Sequence, residues 1–404
     1  MRPDVDIDFE LDGRSKIIKY LKDQYGDASV SEVITLGIFS SKYAMKAALK
    51  AYGVPVTGIS RLMSIMENGP ISLKDENGVH YLSPTLANYK KYCQRFFKDI
   101  SKNDIYEKAF QDAMEFEGRK NAYGIHACAV LVSDKPLSET IPVTYQVRYG
   151  QIYPELVSQY DAHFVENTGL AKFDFLELKQ LSILKDTAAE ANIDITNIPL
   201  NDKCALNQFT KDDTKGIFLF ESDIVKDACQ QVKLNNLSEV FAINAICRPG
   251  PIDYIQDYAI NKLYAAARIS RGETVDSILD ETYGILIYQE QLNDILNKVG
   301  GFSLLEAEGI RRLMARRKQN EIREAKCKFL VGGMNRGVTR KVLVDLWDYM
   351  NVMACLCFMK SHSVSYGIVS YLCAYMTTYA LKARGQKLEN IYMSNCRKYS
   401  LEEE

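Results

Sequence analysis

The first residues of the chain, PDVDIDFE, limit the local fold more than any other segment, because polar and apolar residues alternate strictly from 4 to 9. A period of two is typical of a β-strand with one buried face. On such a strand Asp4, Asp6 and Asp8 point to the same side, with about 6–7 Å between neighbours along the chain. Carboxylates this close repel one another, so a cation such as Mg²⁺, which prefers carboxylate oxygens, is the expected partner. The alternative is a solvated strand face.

The remainder of the chain predicts further helices and strands. A helix over residues 12–25 ends at Gly26, and a second helical stretch ends at Gly53. Residues from about 56 to 120 are polar and Lys-rich, and they predict a separate small helical unit. Strand patterns follow in HACAVLVSD, YGQIYPELVSQY and LAKFDFLEL, and beyond about residue 180 the chain is mainly helical. The order indicates strands interrupted by a helical insertion and followed by a long helical region.

Composition excludes several classes of protein. The 404 residues are 47% hydrophobic and 25% charged, which is typical of a folded chain with two or three domains. No apolar run reaches the length of about 18 residues that a membrane span needs. The 10 cysteines include no CxxC pair and follow no secretion signal, which indicates reduced thiols in the cytoplasm. The formal net charge is -2, so any basic surface for nucleic acid must be local.

A further aspartate is notable for its apolar surroundings. Asp174 lies within the run LAKFDFLEL, where a carboxylate needs a strand end, a charged partner or a metal ion. Lys172 is two residues away and is therefore expected on the same strand face. The pattern leaves open a metal-binding carboxylate and a surface Asp–Lys pair.

The stretch EAEGIRRLMARRKQNEIREAKCKF (306–329) predicts a helix that packs through Ile310, Leu313 and Met314 and carries an excess of positive charge. Arginine suits phosphate because its guanidinium offers forked donors. A salt-bridged solvent face is the alternative. The basic residues are Arg311, Arg312, Arg316, Arg317, Lys318, Arg323, Lys326 and Lys328.

Four shorter motifs have both a structural and a functional interpretation. KSHS carries Lys360 and His362, and the histidine is either a core or capping residue or a functional one. RPGP predicts a rigid turn, with Arg248 as a candidate phosphate contact. His126 is expected to be structural. QLSIL (180–184) looks like a peptide that docks into a sliding clamp, but we interpret it as the buried face of an amphipathic helix.

Taken in chain order, these segments resemble one protein family. The series strongly resembles the C family of DNA polymerases, that of the alpha subunit of bacterial DNA polymerase III, from residue 3 to about 384. The matching segments are PDVDIDF, VITLG, EGRKNAYGIHACAVLVS, GLAKFDFLEL, IFLFES, AICRPGP, TYGILIYQEQ, GFSLLEAEGIRRLM and FMKSHSVSYGIVSY.

The resemblance implies an α+β fold. Its parts would be a partial nucleotidyltransferase palm of the polymerase beta type, an inserted helical thumb and a large, mostly helical fingers domain. The palm would comprise residues 1–37 and 126–179, and the thumb residues 38–125. The fingers would span residues 180–384, followed by a C-terminal tail over 385–404.

The resemblance also implies a catalytic site. The metal-binding aspartates of the family fall on Asp6, Asp8 and Asp174, with two Mg²⁺ ions expected and Asp4 in a supporting role. The implied reaction is nucleotidyl transfer from a dNTP to the 3′-hydroxyl of a primer, with release of pyrophosphate. For the YQEQ residues 288–291 a structural and a template-side role both remain open. The candidate contacts to dNTP or phosphate are Lys172, Arg248, Arg311, Arg312, Lys360 and His362.

Departures from the family lead to further expectations. The sequence starts inside the palm and lacks the Gly-Ser motif that binds the triphosphate, so we expect a companion polypeptide that supplies them, as in a split, phage-type gene. Glu177 replaces the usual glycine, and HACA replaces the usual HAGG. The expected partners are primer–template DNA, dNTPs, this companion and other replisome proteins, in the cytoplasm of a bacterial or phage-infected cell and without a membrane.

Two other functions compete with a polymerase subunit. A non-catalytic DNA-binding or assembly subunit derived from the polymerase has no need of the three aspartates. A metal-dependent nuclease needs its own cluster of ligands, and the 4 histidines of the chain are scattered. The sequence therefore favours the polymerase subunit.

Overall fold

The computed structural model describes residues 5–66, 71–75, 78–148, 151–211, 213–316, 319–378 and 388–401. The chain forms two compact units, Met1–Glu177 and Leu178–Glu404. The first unit contains a mixed sheet and a helical body, whereas the described part of the second unit is helical. The expected combination of α and β structure is confirmed at this level.

Strands occur in the first unit. They are β1 (Asp6–Phe9), β2 (Val30–Ile38), β3 (Ile71–Asp75), β4 (Gly78–Leu82), β5 (Lys120–Val132), β6 (Val143–Arg148), β7 (Gln151–Asp161) and β8 (Ala171–Glu177). Its helices are α1 (Gly13–Tyr25), α2 (Ser41–Ala51), α3 (Val56–Met63), α4 (Leu86–Tyr92), α5 (Gln94–Ile100), α6 (Asp104–Phe116) and α7 (Ala162–Glu166).

Six of these strands form one sheet in the order β1-β8-β5-β2-β7-β6. β1 runs parallel to β8 and β2 runs parallel to β7, whereas the other neighbours are antiparallel. The strand predicted over residues 4–9 is observed as β1, and Asp4 lies outside the described residues. In this sheet β1 is an outer strand that pairs with β8.

Helix α1 packs on one face of the sheet. Ile17, Ile18 and Leu21 contact a core that includes Phe9 of β1 and Phe175 of β8. The helix ends before Gly26, whose φ of +89° favours glycine, and the backbone N–H of Gly26 donates to the carbonyl of Lys22. The predicted helix and its stop are therefore confirmed.

Helices α2–α6 form a body with its own core. Met45, Leu49, Phe96 and Phe110 are among its buried side chains. The sequence predicted only helices between about 56 and 120, and this was wrong for the hairpin of β3 and β4. ISLKD alternates like a strand and GVHYL contains residues that favour strands, but both segments are short, and the Lys-rich composition around them outweighed that signal.

The described part of the second unit contains twelve α-helices. They are α8 (Lys179–Ala191), α9 (Lys203–Gln208), α10 (Asp223–Val232), α11 (Leu237–Ile246), α12 (Ile255–Leu263), α13 (Glu273–Leu279), α14 (Gln289–Lys298), α15 (Leu304–Ala315), α16 (Gln319–Met334), α17 (Arg340–Met353), α18 (Lys360–Thr378) and α19 (Leu388–Leu401).

Two apolar clusters make the core of this unit. One surrounds Phe209, Phe220 and Tyr371, and the other surrounds Phe329 and Trp347. The QLSIL segment lies at the start of α8 with Ile183 and Leu184 buried in the first cluster, which confirms the structural interpretation of this motif. In the described residues no helix has both the length and the apolar character needed to cross a membrane. The 10 cysteines are all free thiols, as expected.

The basic stretch 306–329 is divided between two helices, although one helix was predicted. α15 ends at Ala315 and α16 begins at Gln319, while Arg317 and Lys318 lie outside the described residues. Ile310 and Met314 are buried as expected. The sequence contains no glycine or proline between the two helices, so neither of the usual stop signals marked the end of α15.

Helix α18 contains a glycine that permits close packing. A Cβ atom at Gly367 would lie 2.3 Å from Cδ1 of Phe241 on α11. The absence of a side chain at this position therefore lets the two helices approach. Ser363, one turn earlier, is fully buried and donates a hydrogen bond to the carbonyl of Phe241.

Candidate active site

The three predicted aspartates share one face of the sheet. The parallel register places Asp6 beside Asp174 and Asp8 beside Leu176. Residues two apart on a strand point the same way, so Asp6, Asp8 and Asp174 lie on the face opposite Phe175 and α1. Asp6 is exposed, and Asp8 is half-buried.

The two carboxylate oxygens of Asp174 have different surroundings. Oδ2 accepts a hydrogen bond of 2.7 Å from Nζ of Lys172, in an ion pair whose side chains are 15% and 19% exposed. Oδ1 is buried and has no hydrogen-bond partner among the residues that the structure describes. A buried oxygen of this kind has the capacity to bind a hard cation.

A bulge in β5 lies beside this carboxylate. Residues 126–129 of β5 oppose the single residue Val33 of β2, and Ala129 is then the register partner of Asp174. Nδ1 of His126 accepts hydrogen bonds from the backbone N–H groups of Cys128, at 3.2 Å, and Ala129, at 2.9 Å. His126 therefore stabilises the bulge, which is the structural role expected for it.

The pKa of the Cys128 thiol depends on the charges at the site. Burial raises the pKa of its thiol, the negative charge of Asp174 raises it further, and Arg14 acts in the opposite direction. Asp6 and Asp8 also raise it. The HACA segment thus brings a thiol into the field of the three carboxylates. Sequence reasoning noted the segment as a departure but did not identify this neighbour.

The carboxylates share a face without converging on one point. Among the described residues, no group of three or more His, Cys, Asp or Glu side chains is positioned to bind a metal ion. The donor set nevertheless fits a hard divalent cation, because it consists of carboxylate oxygens and includes the unpartnered Oδ1 of Asp174. A cation at Oδ1 would bind next to the Lys172 ammonium group, which holds Oδ2.

In the second unit, Arg311 and Arg312 share one carboxylate. Arg311 donates two hydrogen bonds to Glu308, of 2.7 and 2.8 Å, and Nε of Arg312 donates a third of 2.7 Å. The Arg311 guanidinium is the main reason that the pKa of Glu308 is lowered to about 2. The sequence carried a signal for this contact, because Glu308 precedes the two arginines by three and four residues on α15.

Arg248 and His362 line a common cavity of about 260 Å³. The Arg248 guanidinium lies over the ring of Phe358 at 4.3 Å and donates hydrogen bonds to the carbonyls of Ala245 and Leu356. Burial lowers its pKa. The ring of His362 is stacked on Tyr366, with 4.1 Å between centroids. Both candidates thus lie in an aromatic pocket, and Arg248 also secures the local backbone.

Lys360 lies at the start of α18. Its Nζ pairs with both oxygens of Glu281, at 2.7 and 2.8 Å, and its backbone N–H donates to the carboxylate of Glu290. Glu290 belongs to the YQEQ motif. In the same motif the side chain of Gln291 is buried and accepts from the backbone N–H of Tyr288. The side chains of Glu290 and Gln291 therefore both bind backbone groups of this chain.

Two models of known protein domains match the chain, and the boundary between them falls at the boundary between the two units. Residues 1–177 match the model of the bacterial DNA polymerase III alpha NTPase domain. Residues 177–337 match that of the bacterial DNA polymerase III alpha subunit finger domain. The chain belongs to the C family of DNA polymerases. This confirms the family that the sequence motifs indicated.

Individual relatives support the C-family assignment. The DNA polymerase III alpha subunits of Borreliella burgdorferi and Thermus aquaticus are 28% and 30% identical to the chain over 93% of its length. The corresponding subunit of Mycobacterium tuberculosis is 30% identical over 99%. These matches cover 32%, 30% and 35% of the relatives, so the chain spans about a third of their length.

The C-family motifs therefore fall into separate groups of contacts. In the first unit, Asp6, Asp8, Lys172 and Asp174 share a sheet face. In the second unit, the other candidates fall into three sets with different partners. Arg311 and Arg312 contact Glu308, Arg248 and His362 line the aromatic cavity, and Lys360 contacts Glu281.

Proposed function

We propose that this chain is a subunit of a DNA-directed DNA polymerase that transfers a nucleotide from a dNTP to a primer 3′-hydroxyl. The observation that carries the proposal is the parallel pairing of β1 and β8, which sets Asp6 beside Asp174 with Asp8 on the same face. Two strands that are distant in sequence thus present the three carboxylates of the family motif together.

Asp6, Asp8 and Asp174 would bind two Mg²⁺ ions. When bound, divalent metal would lower the pKa of the primer 3′-hydroxyl and balance charge on the leaving pyrophosphate. The reaction forms a bond between the 3′-oxygen and the α-phosphorus, and it breaks the bond between that phosphorus and the bridging oxygen to the β-phosphate. The proton of the 3′-hydroxyl is released to solvent.

Lys172 has a place in this scheme. Its ammonium group now neutralises Asp174 at 2.7 Å. If a cation neutralised Asp174, the ammonium group of Lys172 could instead contact the phosphates of the dNTP. Such an exchange keeps the charge of the half-buried carboxylate compensated in both states.

The candidates of the second unit have a comparable role. Arg311 and Arg312 would exchange Glu308 for phosphate, to which a guanidinium binds with the same forked geometry. Lys360 would likewise leave Glu281 and bind a phosphate. Arg248 and His362 would contact the nucleotide from their cavity. Each of these residues is a proposed contact to dNTP or phosphate.

The proposal includes the layout of palm, thumb and fingers over the ranges expected from the family. It also includes a companion polypeptide that binds beside this sheet. The outermost position of β1 among the described strands of the sheet supports this, because an outer strand can accept another strand along its edge. Primer–template DNA is the proposed substrate.

Primer extension tests the proposal. The chain should extend a primer with dNTPs and Mg²⁺, alone or together with proteins encoded by neighbouring genes. Asp6→Asn and Asp174→Asn should each reduce extension by roughly a hundredfold or more, while duplex binding at fixed salt changes little. Asp23→Asn, an exposed aspartate of α1, is the matched control. Near wild-type extension by either site variant would refute the assignment of the carboxylates.

Two observations favour a second candidate, a non-catalytic DNA-binding or assembly subunit. The described carboxylates do not converge on a metal position, and Arg311 is already paired with Glu308. Retained duplex binding without extension, under every pairing with neighbouring proteins, would support this candidate over the polymerase.

A further inference from the structure

A cavity of about 460 Å³ lies in the first unit between α1 and the sheet. Its apolar lining includes Ile18 of α1 and Val130 of β5. Both belong to the core that also contains Phe175 of β8. Asp174 precedes Phe175 on the strand and points to the other side. The cavity is therefore on the face opposite the carboxylates.

Unsatisfied polar atoms are concentrated in this cavity. Eight buried side-chain polar atoms have no hydrogen-bond partner among the described residues, and four of them belong to its lining. Ser31 and Gln146 are only 3% and 5% exposed. Buried polar groups in native proteins are almost always hydrogen-bonded, so this concentration indicates a missing partner. The four atoms are Nε of Arg14, Oγ of Ser31, Nε2 of Gln146 and Oε2 of Glu155.

A β-bulge accompanies two of these groups. Tyr145 pairs with Leu156, but the next residue of β6, Gln146, pairs with Tyr153. Residues 154 and 155 of β7 are therefore passed over by the register. A bulge redirects the side chains of its strand, and bulges occur often beside functional sites. The amide of Gln146 and the carboxylate of Glu155 consequently line the same wall.

The opposite wall carries positive charge. Lys19 and Lys22 lie three residues apart on α1 and both line the cavity. Arg14 is also present: its NH2 group is paired with Glu32 at 2.9 Å, and its buried Nε has no partner among the described residues, so Nε can donate to a ligand. A ligand that fits both walls combines an anionic group with an uncharged group that both accepts and donates hydrogen bonds.

We propose that this cavity binds a nucleoside phosphate whose base has a carbonyl next to a ring N–H, as guanine and uracil do. Nε2 of Gln146 donates to the carbonyl, and the ring N–H donates to Oε2 of Glu155. Lys19 and Lys22 contact the phosphate. Adenine and cytosine have instead an amino group beside a ring nitrogen that only accepts hydrogen bonds. That ring nitrogen would face the carboxylate of Glu155, which also only accepts.

The size of the cavity supports a ligand of this class. Small-molecule sites have volumes of about 300–1,000 Å³, and about 460 Å³ suits a nucleotide. Inorganic phosphate or a free amino acid would leave most of this space unfilled. The site lies on a different sheet face from the proposed polymerase centre and does not depend on that function.

Calorimetric titration of the full chain in EDTA, without DNA, tests the proposal. The probes are GMP and AMP as matched purines, UMP and CMP as matched pyrimidines, and inorganic phosphate. GMP and UMP should bind one to one, about tenfold or more tighter than AMP and CMP. Asp174→Asn should bind GMP as the wild type does, which separates this cavity from the carboxylate face.

Glu155→Gln should weaken GMP binding about tenfold and reduce the preference for GMP over AMP, because an amide can donate to adenine. Glu139→Gln, an exposed glutamate of the same unit, should leave both unchanged. The base preference of the wild type tests the proposal even if a variant fails to fold. The proposal would be overturned if GMP binding did not saturate, if the four nucleotides bound equally, or if phosphate bound as tightly as GMP. It would also be overturned if a folded Glu155→Gln variant bound GMP as the wild type does.

Discussion

Lys172 and Asp174 form a largely buried ion pair on β8, with Nζ 2.7 Å from Oδ2 and side chains 15% and 19% exposed. The lysine neutralises a carboxylate whose second oxygen, Oδ1, has no partner among the described residues. The pair therefore keeps the Asp174 side chain in position on the face that it shares with Asp6 and Asp8.

Lys172→Met should lower the free energy of unfolding by about 1–3 kcal/mol, because it leaves a largely buried carboxylate without its cation. Lys172→Arg should retain most of that stability. Urea unfolding at pH 7 measures both, and Lys16→Met, at an exposed position of α1, is the control. If Lys172→Met is as stable as the wild type, the ion pair contributes nothing to the fold.

Glu308 should stabilise the second unit in a pH-dependent way. Its pKa is lowered from 4.5 to about 2, chiefly by the hydrogen bonds from Arg311. A lowered pKa stabilises the folded state above pH 4.5, and this contribution disappears as the pH falls toward 2. At pH 7, Glu308→Gln should cost about 1–2 kcal/mol, a value reduced for the partial exposure of the side chain.

Urea unfolding of Glu308→Gln and the wild type between pH 7 and pH 3 checks this prediction. The difference between the two proteins should be constant above pH 5 and should shrink below it. Glu324→Gln, at an exposed position of α16, should show little difference at any pH. A difference for Glu308→Gln that stays constant down to pH 3 would contradict the lowered pKa.

Two helical glycines should respond in opposite directions to alanine. Gly367→Ala places a Cβ 2.3 Å from Phe241 and should destabilise by about 1–3 kcal/mol, because α11 and α18 must separate. Gly309→Ala on α15 meets nothing within 4 Å and should stabilise by about 0.5–1 kcal/mol through helix propensity. Chemical unfolding measures both. Equal effects of the two changes would show that the contact with Phe241 is unimportant.

The thiol of Cys128 should report on the carboxylates without any activity assay. Because burial and then Asp174 raise its pKa, it should react with iodoacetamide at pH 8 more slowly than the exposed Cys204. Asp174→Asn should accelerate the reaction at Cys128 roughly twofold or more. Peptide mass spectrometry measures the rate at each cysteine, and Asp23→Asn is the control.

Addition of Mg²⁺ to the wild type should also change the alkylation rate at Cys128. A cation at the three carboxylates would lower the thiol pKa, and the reaction would become faster. Asp6→Asn should weaken this response. A rate at Cys128 that is the same with and without Mg²⁺, and in Asp174→Asn, would place the thiol outside the field of the carboxylates.

Local patterns were sufficient for several elements. The alternation in DVDIDF predicted β1, the apolar stripe and Gly26 predicted α1 and its end, and QLSIL was correctly interpreted as a buried helix face. In each case the residues that determine the element lie close together in the sequence. The motif order also identified the family.

Other features depend on contacts that local patterns do not record. The β3–β4 hairpin was missed because two short strands gain their stability from each other rather than from either alone. The break between α15 and α16 has no glycine or proline to mark it. The partner of Arg311, Glu308, belongs to the stretch 306–329, but the excess of positive charge favoured a contact to phosphate over this pair within one helix.

The sequence by itself determined that Asp6 and Asp8 share one face of a strand and that Lys172 and Asp174 share one face of another, because side chains alternate with a period of two. Only the tertiary structure decided that these faces adjoin, since nothing local specifies which strands pair or in which register. The same holds for the cavity between α1 and the sheet, where Arg14 of α1, Gln146 of β6 and Glu155 of β7 line one space. Such sites arise from long-range packing, and the residues that form them belong to no sequence motif.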